Sequence, residues 1–226
     1  MLKTSVLATA GIAIAGLLQG CSNADAQTAC GTFLETKAEL EQNLTDGDAE
    51  VLLFAKAPVE GLRQLVVRNP RGVELELTTA NTLGQREFLF ESAEPPDLGA
   101  VLAAFPPGTY SFEGTTVSGD CLTGAAQLSH VSAPGTTLLT PMQDEVVAPD
   151  QVTLSWASVP EAEGYVVELT NETSGAVYAF DILPPITDLA VPAALIDAGA
   201  EYTFAVATST STGNVSSVEL SFTTTP

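Results

Sequence analysis

The feature that most restricts this chain is a strict two-residue alternation through its last third. Val152, Leu154 and Trp156 stand two apart, as do Tyr165, Val167 and Leu169, then Tyr202, Phe204 and Val206, then Val218, Leu220 and Phe222. The positions between them are mostly Ser, Thr, Glu or Ala. A strand sends successive side chains to opposite faces, so this pattern predicts strands with one buried face. Turn residues separate the runs: Pro160, Ser174-Gly175, Pro184-Pro185, Gly199 and Gly213-Asn214. About seven short strands at such spacing predict a two-sheet sandwich.

The residues within these runs narrow the choice. Trp156 lies on the second expected strand, and Tyr165 opens the third. Ile196 precedes Tyr202 by six residues with Gly199 between them. This stretch resembles a fibronectin type III domain. The resemblance implies a core built on Trp156, Tyr165, Ile196, Tyr202 and Phe204. It also implies a tyrosine corner, in which the Tyr202 hydroxyl bonds to nearby backbone. Ala198 stands where the family usually has proline before the glycine. A module of this kind hosts many unrelated tasks, so the resemblance implies architecture and not chemistry.

Residues 30–135 also read as strands. The runs are Glu50 to Ala55, Arg63 to Arg68, Val73 to Leu77, Glu87 to Glu91, Tyr110 to Gly114 and Leu122 to Val131. Asn69-Pro-Arg-Gly72 and Ser118-Gly119-Asp120 are expected turns. One helix is predicted, with Asp97 as N-cap and an apolar stripe of Leu98, Val101, Leu102 and Phe105. Thr36 to Asn43 reads as either a weak helix or irregular chain. Phe105-Pro-Pro-Gly-Thr-Tyr-Ser-Phe112 resembles the start of a strand in many extracellular β-sandwiches. Asn43 to Val131 as a whole is similar to the N-terminal part of bacterial exported proteins that carry a fibronectin type III module and have no assigned activity. The expected fold is therefore all-β, two sandwiches in tandem. The first, residues 30–135, is Ig-like or transthyretin-like with one short helix; the second is residues 138–226.

The chain begins with Lys3 and an apolar run from Val6 to Leu18, a length suited to a secretory signal. Leu18-Gln-Gly-Cys21 resembles a bacterial lipobox. It implies removal of residues 1–20 and acylation of Cys21, with residues 21–29 as a polar tether. Ser22 resembles the sorting residue of outer-membrane lipoproteins. Cleavage after Ala26 is the alternative and would release a soluble periplasmic or secreted protein. Three cysteines are present. With Cys21 acylated or removed, Cys30 and Cys121 are expected to pair in an oxidising compartment, two buried free thiols being the alternative.

Twenty-eight acidic residues face seven basic ones, a formal net charge of −21. Every Lys and Arg lies at or before Arg86, and the rest of the chain carries only carboxylates. Nucleic-acid backbones demand cations, so a nucleic-acid partner is excluded. Asp46-Gly-Asp48 with Glu50 places oxygen ligands around a turn and is a candidate calcium site, although the run is too short for an EF-hand loop. Glu91, Glu94 and Asp97 are candidate carboxylates for glycoside hydrolysis. His130, the single histidine, is a candidate base or metal ligand but has no Cys or second His as partner. No catalytic motif is present and no cofactor is expected. Three readings follow. The first is a non-catalytic cell-envelope protein, held to the membrane by its lipid and binding a protein or glycan partner. The second is an exported enzyme or accessory protein acting on polysaccharide. The third is a calcium-stabilised spacer.

Overall fold

A computed structural model describes residues 29–58, 60–80, 82–94 and 97–226. Sixteen strands and one short α-helix make up the fold. The expected lipidation site Cys21 and the leader lie outside the described residues. No helix among the described residues is long and apolar enough to cross a membrane.

The first sandwich uses β1 (Gly31–Thr32), β2 (Glu35–Asn43), β3 (Ala49–Lys56), β4 (Leu62–Asn69), β5 (Gly72–Thr78), β6 (Glu87–Glu91), β7 (Gly108–Thr116) and β8 (Cys121–Leu128). One sheet runs β1-β8-β7-β4-β5, and the facing layer is β2-β3-β6. Between them Leu40, Val51, Leu53, Leu65, Val67 and Phe112 are buried. Each such side chain contributes about 1.5–3 kcal/mol on leaving water. The helix α1 (Leu98–Ala104) closes one end, with the Asp97 carboxylate accepting from Gly99 N at 2.9 Å. It buries Val101 against the same core. Tyr110 is fully buried and its hydroxyl donates to Pro106 O at 3.2 Å. Burial, with the Glu74 carboxylate adding to it, pushes that phenol up to about 12.

The weak helix or irregular chain expected over Thr36 to Asn43 is instead β2. Glu and Lys in this run favour a helix locally, but Ala38, Leu40 and Gln42 alternate with Lys37, Glu39 and Glu41 and bury one face. Burial between two neighbouring strands outweighs propensity differences of a few tenths of a kcal/mol per residue.

The second sandwich adds β9 (Leu138–Thr140), β10 (Val146–Val147), β11 (Thr153–Trp156), β12 (Gly164–Asn171), β13 (Ala176–Ile182), β14 (Asp188–Ala190), β15 (Glu201–Ser209) and β16 (Val215–Thr224). A three-stranded sheet, β14-β11-β9, faces β13-β12-β15-β16. Leu154, Trp156, Tyr165, Val167, Leu169, Tyr202, Phe204 and Val206 fill the space between. This is a fibronectin type III-like sandwich. Trp156 and Tyr165 meet edge to face at 5.6 Å, and Tyr202 stacks on Phe222 at 5.5 Å. Ile196 is buried beside them. The Tyr202 hydroxyl accepts from Asp197 N at 2.7 Å and from Asn171 Nδ2 at 3.1 Å.

The two cores are bridged by a shared sheet. β16 pairs in parallel with β2 through Val215↔Glu41, Ser216↔Gln42 and Ser217↔Asn43. The result is one eight-stranded sheet, β13-β12-β15-β16-β2-β3-β6 with β10 beside β16. Asn214, fully buried, locks this seam. Its Oδ1 accepts from Leu40 N at 3.0 Å. Its Nδ2 donates to Ser129 O at 2.9 Å and Val131 O at 2.7 Å, which fastens the connecting segment across the joint.

Candidate functional site

The shared sheet has a second face, turned away from both cores. Alternation assigns to it Glu39 and Glu41 of β2, Glu50 of β3, Glu91 of β6, Glu168 of β12, Asp181 of β13 and Glu219 of β16. Lys37 and Lys56 are the cations on this face, and both are engaged. Lys37 lies 3.3 Å from Glu35, and Lys56 lies 2.7 Å from Glu87. The second sandwich brings no cation at all.

Carboxylates crowd most closely at the seam. Glu41 and Glu50 are direct cross-strand partners. They line a hollow of about 230 Å³ together with Asp48, Glu94, Val215 and Ser217. One Glu50 oxygen, Oε2, is shut away from solvent with no hydrogen-bond partner among the described residues. Burial, followed by the charges of Glu94, Glu41, Glu91 and Asp48, pushes the Glu50 carboxyl up to about 7. Burial also raises Glu41, with Glu39 and Glu91 adding to the shift and Lys37 opposing it. The Glu50 carboxyl thus holds or releases a proton near neutrality. The Glu41–Glu50 pairing was hidden in the sequence, because it exists only once residues 35–43 form a strand beside β3.

The candidate calcium residues end up in different roles. Asp46 Oδ1 accepts from Asp48 N at 3.3 Å and its Oδ2 from Asn43 Nδ2 at 3.3 Å, bonds that close the β2–β3 turn. Gly47 there has φ +88°, a conformation that favours glycine. Glu50 lies beyond the turn, opposite Glu41. No group of three or more His, Cys, Asp or Glu among the described residues is placed to hold a metal ion. Glu91, Glu94 and Asp97 are also divided, since Asp97 caps α1 while Glu94 lines the seam hollow. His130 Nε2 sits 2.7 Å from Phe105 O. Asn171 and Asn214 are both buried and hydrogen-bonded inside the fold.

Cys30 and Cys121 form a disulfide that ties the first described residues to β8. A second hollow, of about 480 Å³, opens between β6 and α1 and is lined by Phe90, Ala93, Ala100, Val101, Ala104 and Phe105. Its walls are nearly all apolar, and Phe90 and Phe105 lie 6.4 Å apart.

No family model matches the chain, and no curated protein matches it. Solved structures do overlap with it. The chicken CNTN1 FN1–FN3 domains share 10% identity at a TM-score of 0.33, over 84% of this chain and 66% of that one. A tetra-tandem repeat from the extending region of a large adhesion protein shares 14% at 0.31, over 84% and 49%. A two-domain fibronectin type III segment of chicken tenascin shares 14% at 0.29, over 84% and 98%. This chain thus spans about half to two thirds of the first two structures.

Proposed function

We propose that this chain is a non-catalytic binding module of the bacterial cell envelope. In this reading residues 1–20 are a leader and Cys21 carries the lipid. Residues 21–29 are the tether, and residues 30–135 and 138–226 are two sandwiches projecting from the outer membrane. The observation that carries the proposal is the eight-stranded sheet shared by both cores. A tandem joined only by a linker would bend freely. A tandem stitched by backbone pairing and by Asn214 holds one broad acidic face in a single orientation, which suits display and reach rather than turnover. The Cys30–Cys121 bridge supports an oxidising compartment. The partner is a protein or glycan met through that face or its edges. Nucleic acid and anionic headgroups are repelled by the charge.

The test has two parts. Cells expressing the chain are fed an alkyne fatty acid; wild type is expected to carry the label and Cys21→Ser to lose it. The purified full chain, in detergent, is then assayed on arrays of envelope proteins and glycans for saturable binding and for hydrolysis of glycan, peptide and ester substrates. Saturable binding without turnover is the expected result. Efficient hydrolysis, or an unlabelled chain with reduced thiols in the cytosol, would overturn the proposal.

A further inference from the structure

Among the described residues the three sheets end in six edges along their main paths, with the two-residue β10 a side edge of the shared sheet, and all but one of these are blunted. The first sandwich's five-stranded sheet ends in β1, two residues long, and in β5, whose pairing with β4 is broken by a register shift at Val67/Arg68 and which carries Glu74 and Glu76. The three-stranded sheet ends in β9 and β14, three residues each. The shared sheet ends at one side in β6, five residues with a glutamate at each terminus. Short strands, bulges and edge charges are the usual means of preventing a sheet from recruiting another strand.

The remaining edge, β13, is neither short nor bulged, and its single charge is Asp181. It is seven residues long, Ala-Val-Tyr-Ala-Phe-Asp-Ile, without proline, glycine or lysine. All seven residues pair with β12 in unbroken register. Phe180 and Ile182 pack on the second core and hold the strand in place. On its other face Val177 is 54% exposed, and Ala179 and Asp181 are also exposed. Exposed Val166 lies opposite Asp181 on β12, and Leu183, 69% exposed, continues the outward row. The outer side of an edge strand presents alternate N–H and C=O groups without sheet partners. A polypeptide in extended conformation repeats the spacing of those groups along the whole strand.

We propose that β13 is a docking edge for an extended, basic segment of a partner protein, which adds as a ninth strand to the shared sheet. The partner's sign follows from charge. The second sandwich has carboxylates and no Lys or Arg, with Glu168 and Asp181 beside the edge. A second copy of this chain would bring the same net negative charge to the same place, so self-pairing is opposed. A basic strand is attracted, and cross-strand geometry states its pattern. On one face it carries an apolar residue beside Val177 and a Lys or Arg beside Asp181, four positions apart. The inference rests on the binding-module reading above and names the class of partner and the place it docks.

Hydrogen exchange on the full chain in detergent, read by mass spectrometry, tests it with three end-blocked nonapeptides. One has valine at position 3 and lysine at position 7, four apart on one face, with threonine elsewhere. The second exchanges that lysine for glutamate, keeping strand propensity and reversing charge. The third keeps the lysine and has glycine elsewhere, keeping charge and losing strand propensity. The lysine–valine peptide is expected to slow exchange within residues 176–182 at least tenfold, and the other two to leave it unchanged. Val177→Lys with Asp181→Lys, both exposed positions, is expected to remove that protection while far-UV circular dichroism stays as in wild type. If this pair fails to fold, Asp181→Lys alone gives the same reading with a smaller loss. Protection by the lysine–glycine peptide, protection away from β13, or protection of β13 by self-association without peptide would each overturn the proposal. Array binding with no lysine–valine protection of β13 would sink the edge alone; loss of both would sink the binding reading as well.

Discussion

Glu50 is the residue whose chemistry is most displaced from its ordinary behaviour. Its carboxyl rises to about 7 because one oxygen is shut from water and Glu94, Glu41, Glu91 and Asp48 surround it. A raised carboxyl pKa means that the folded state holds the proton more tightly than the unfolded chain. The stability this supplies is complete below the unfolded value near 4.5 and is lost as pH rises through about 7. Glu39 and Glu41 are raised as well and act in the same direction. Urea titrations should therefore show stability falling between pH 5 and pH 8. Glu50→Gln should flatten that slope and be more stable than wild type at pH 8 by about 1 kcal/mol, after solvent screening is discounted. An unchanged slope would show that the seam carboxylates do not feel one another. Tyr202 makes the opposite case, a buried polar group whose oxygen accepts two hydrogen bonds inside a core. Tyr202→Phe removes the acceptor for Asp197 N and Asn171 Nδ2. It is expected to cost about 1–3 kcal/mol, because buried donors are left unpaired. Fluorescence of the buried Trp156, the single tryptophan, reads that loss directly.

Among the elements, β1 and β8 are held together by more than backbone pairing. Cys30 and Cys121 are 91 residues apart in sequence, so their bridge closes a long loop in the unfolded chain. Cys121→Ser, or reduction, is expected to lower stability by about 3–5 kcal/mol on the chain-entropy account. Thermal unfolding with and without reductant measures it, and a shift within error would show that the bridge is incidental. Strands β11, β12, β15 and β16 of the second sandwich were legible because their alternation is uninterrupted. The helix α1 was legible because Asp97, the apolar stripe and the flanking prolines all point one way. β2 was not, because its Lys, Glu and Gln have helical preferences and the strands that bury Ala38 and Leu40 come from distant parts of the chain. The same blindness concealed Glu41 beside Glu50. It also concealed that the turn takes up Asp46 while the strand carries Glu50 past it, opposite Glu41.

For the whole molecule, the seam decides how the two sandwiches behave. Asn214 satisfies three backbone groups drawn from β2 and the connecting segment. Asn214→Ala leaves the buried Leu40 N–H unpaired and breaks the part-buried bonds to the carbonyls of Ser129 and Val131, at a cost of about 2 kcal/mol. The loss falls on the joint rather than on either core. Wild type is expected to unfold in one transition, with Trp156 fluorescence and far-UV circular dichroism coincident. In Asn214→Ala the two curves should separate, since Trp156 reports only the second core. Coincident curves in the variant would mean that the β16–β2 pairing suffices without Asn214. One stiff body with an acidic face is also what the proposed display role requires, because a floppy joint would scatter the face over many orientations.

Local rules acting within a few residues of one another settled the all-β class, the sandwich core around Trp156 and Tyr202, the turns and the charge. Alternation, turn chemistry and composition need no knowledge of distant chain. The tertiary structure alone decided that β16 accepts β2 as a neighbour, that carboxylates from separate strands meet at the seam, and that β13 keeps an open edge. Strand partnership joins residues far apart in the chain, as Glu41 and Val215 show. Period-two patterning names the face a side chain takes and carries no information about which strand lies beside it.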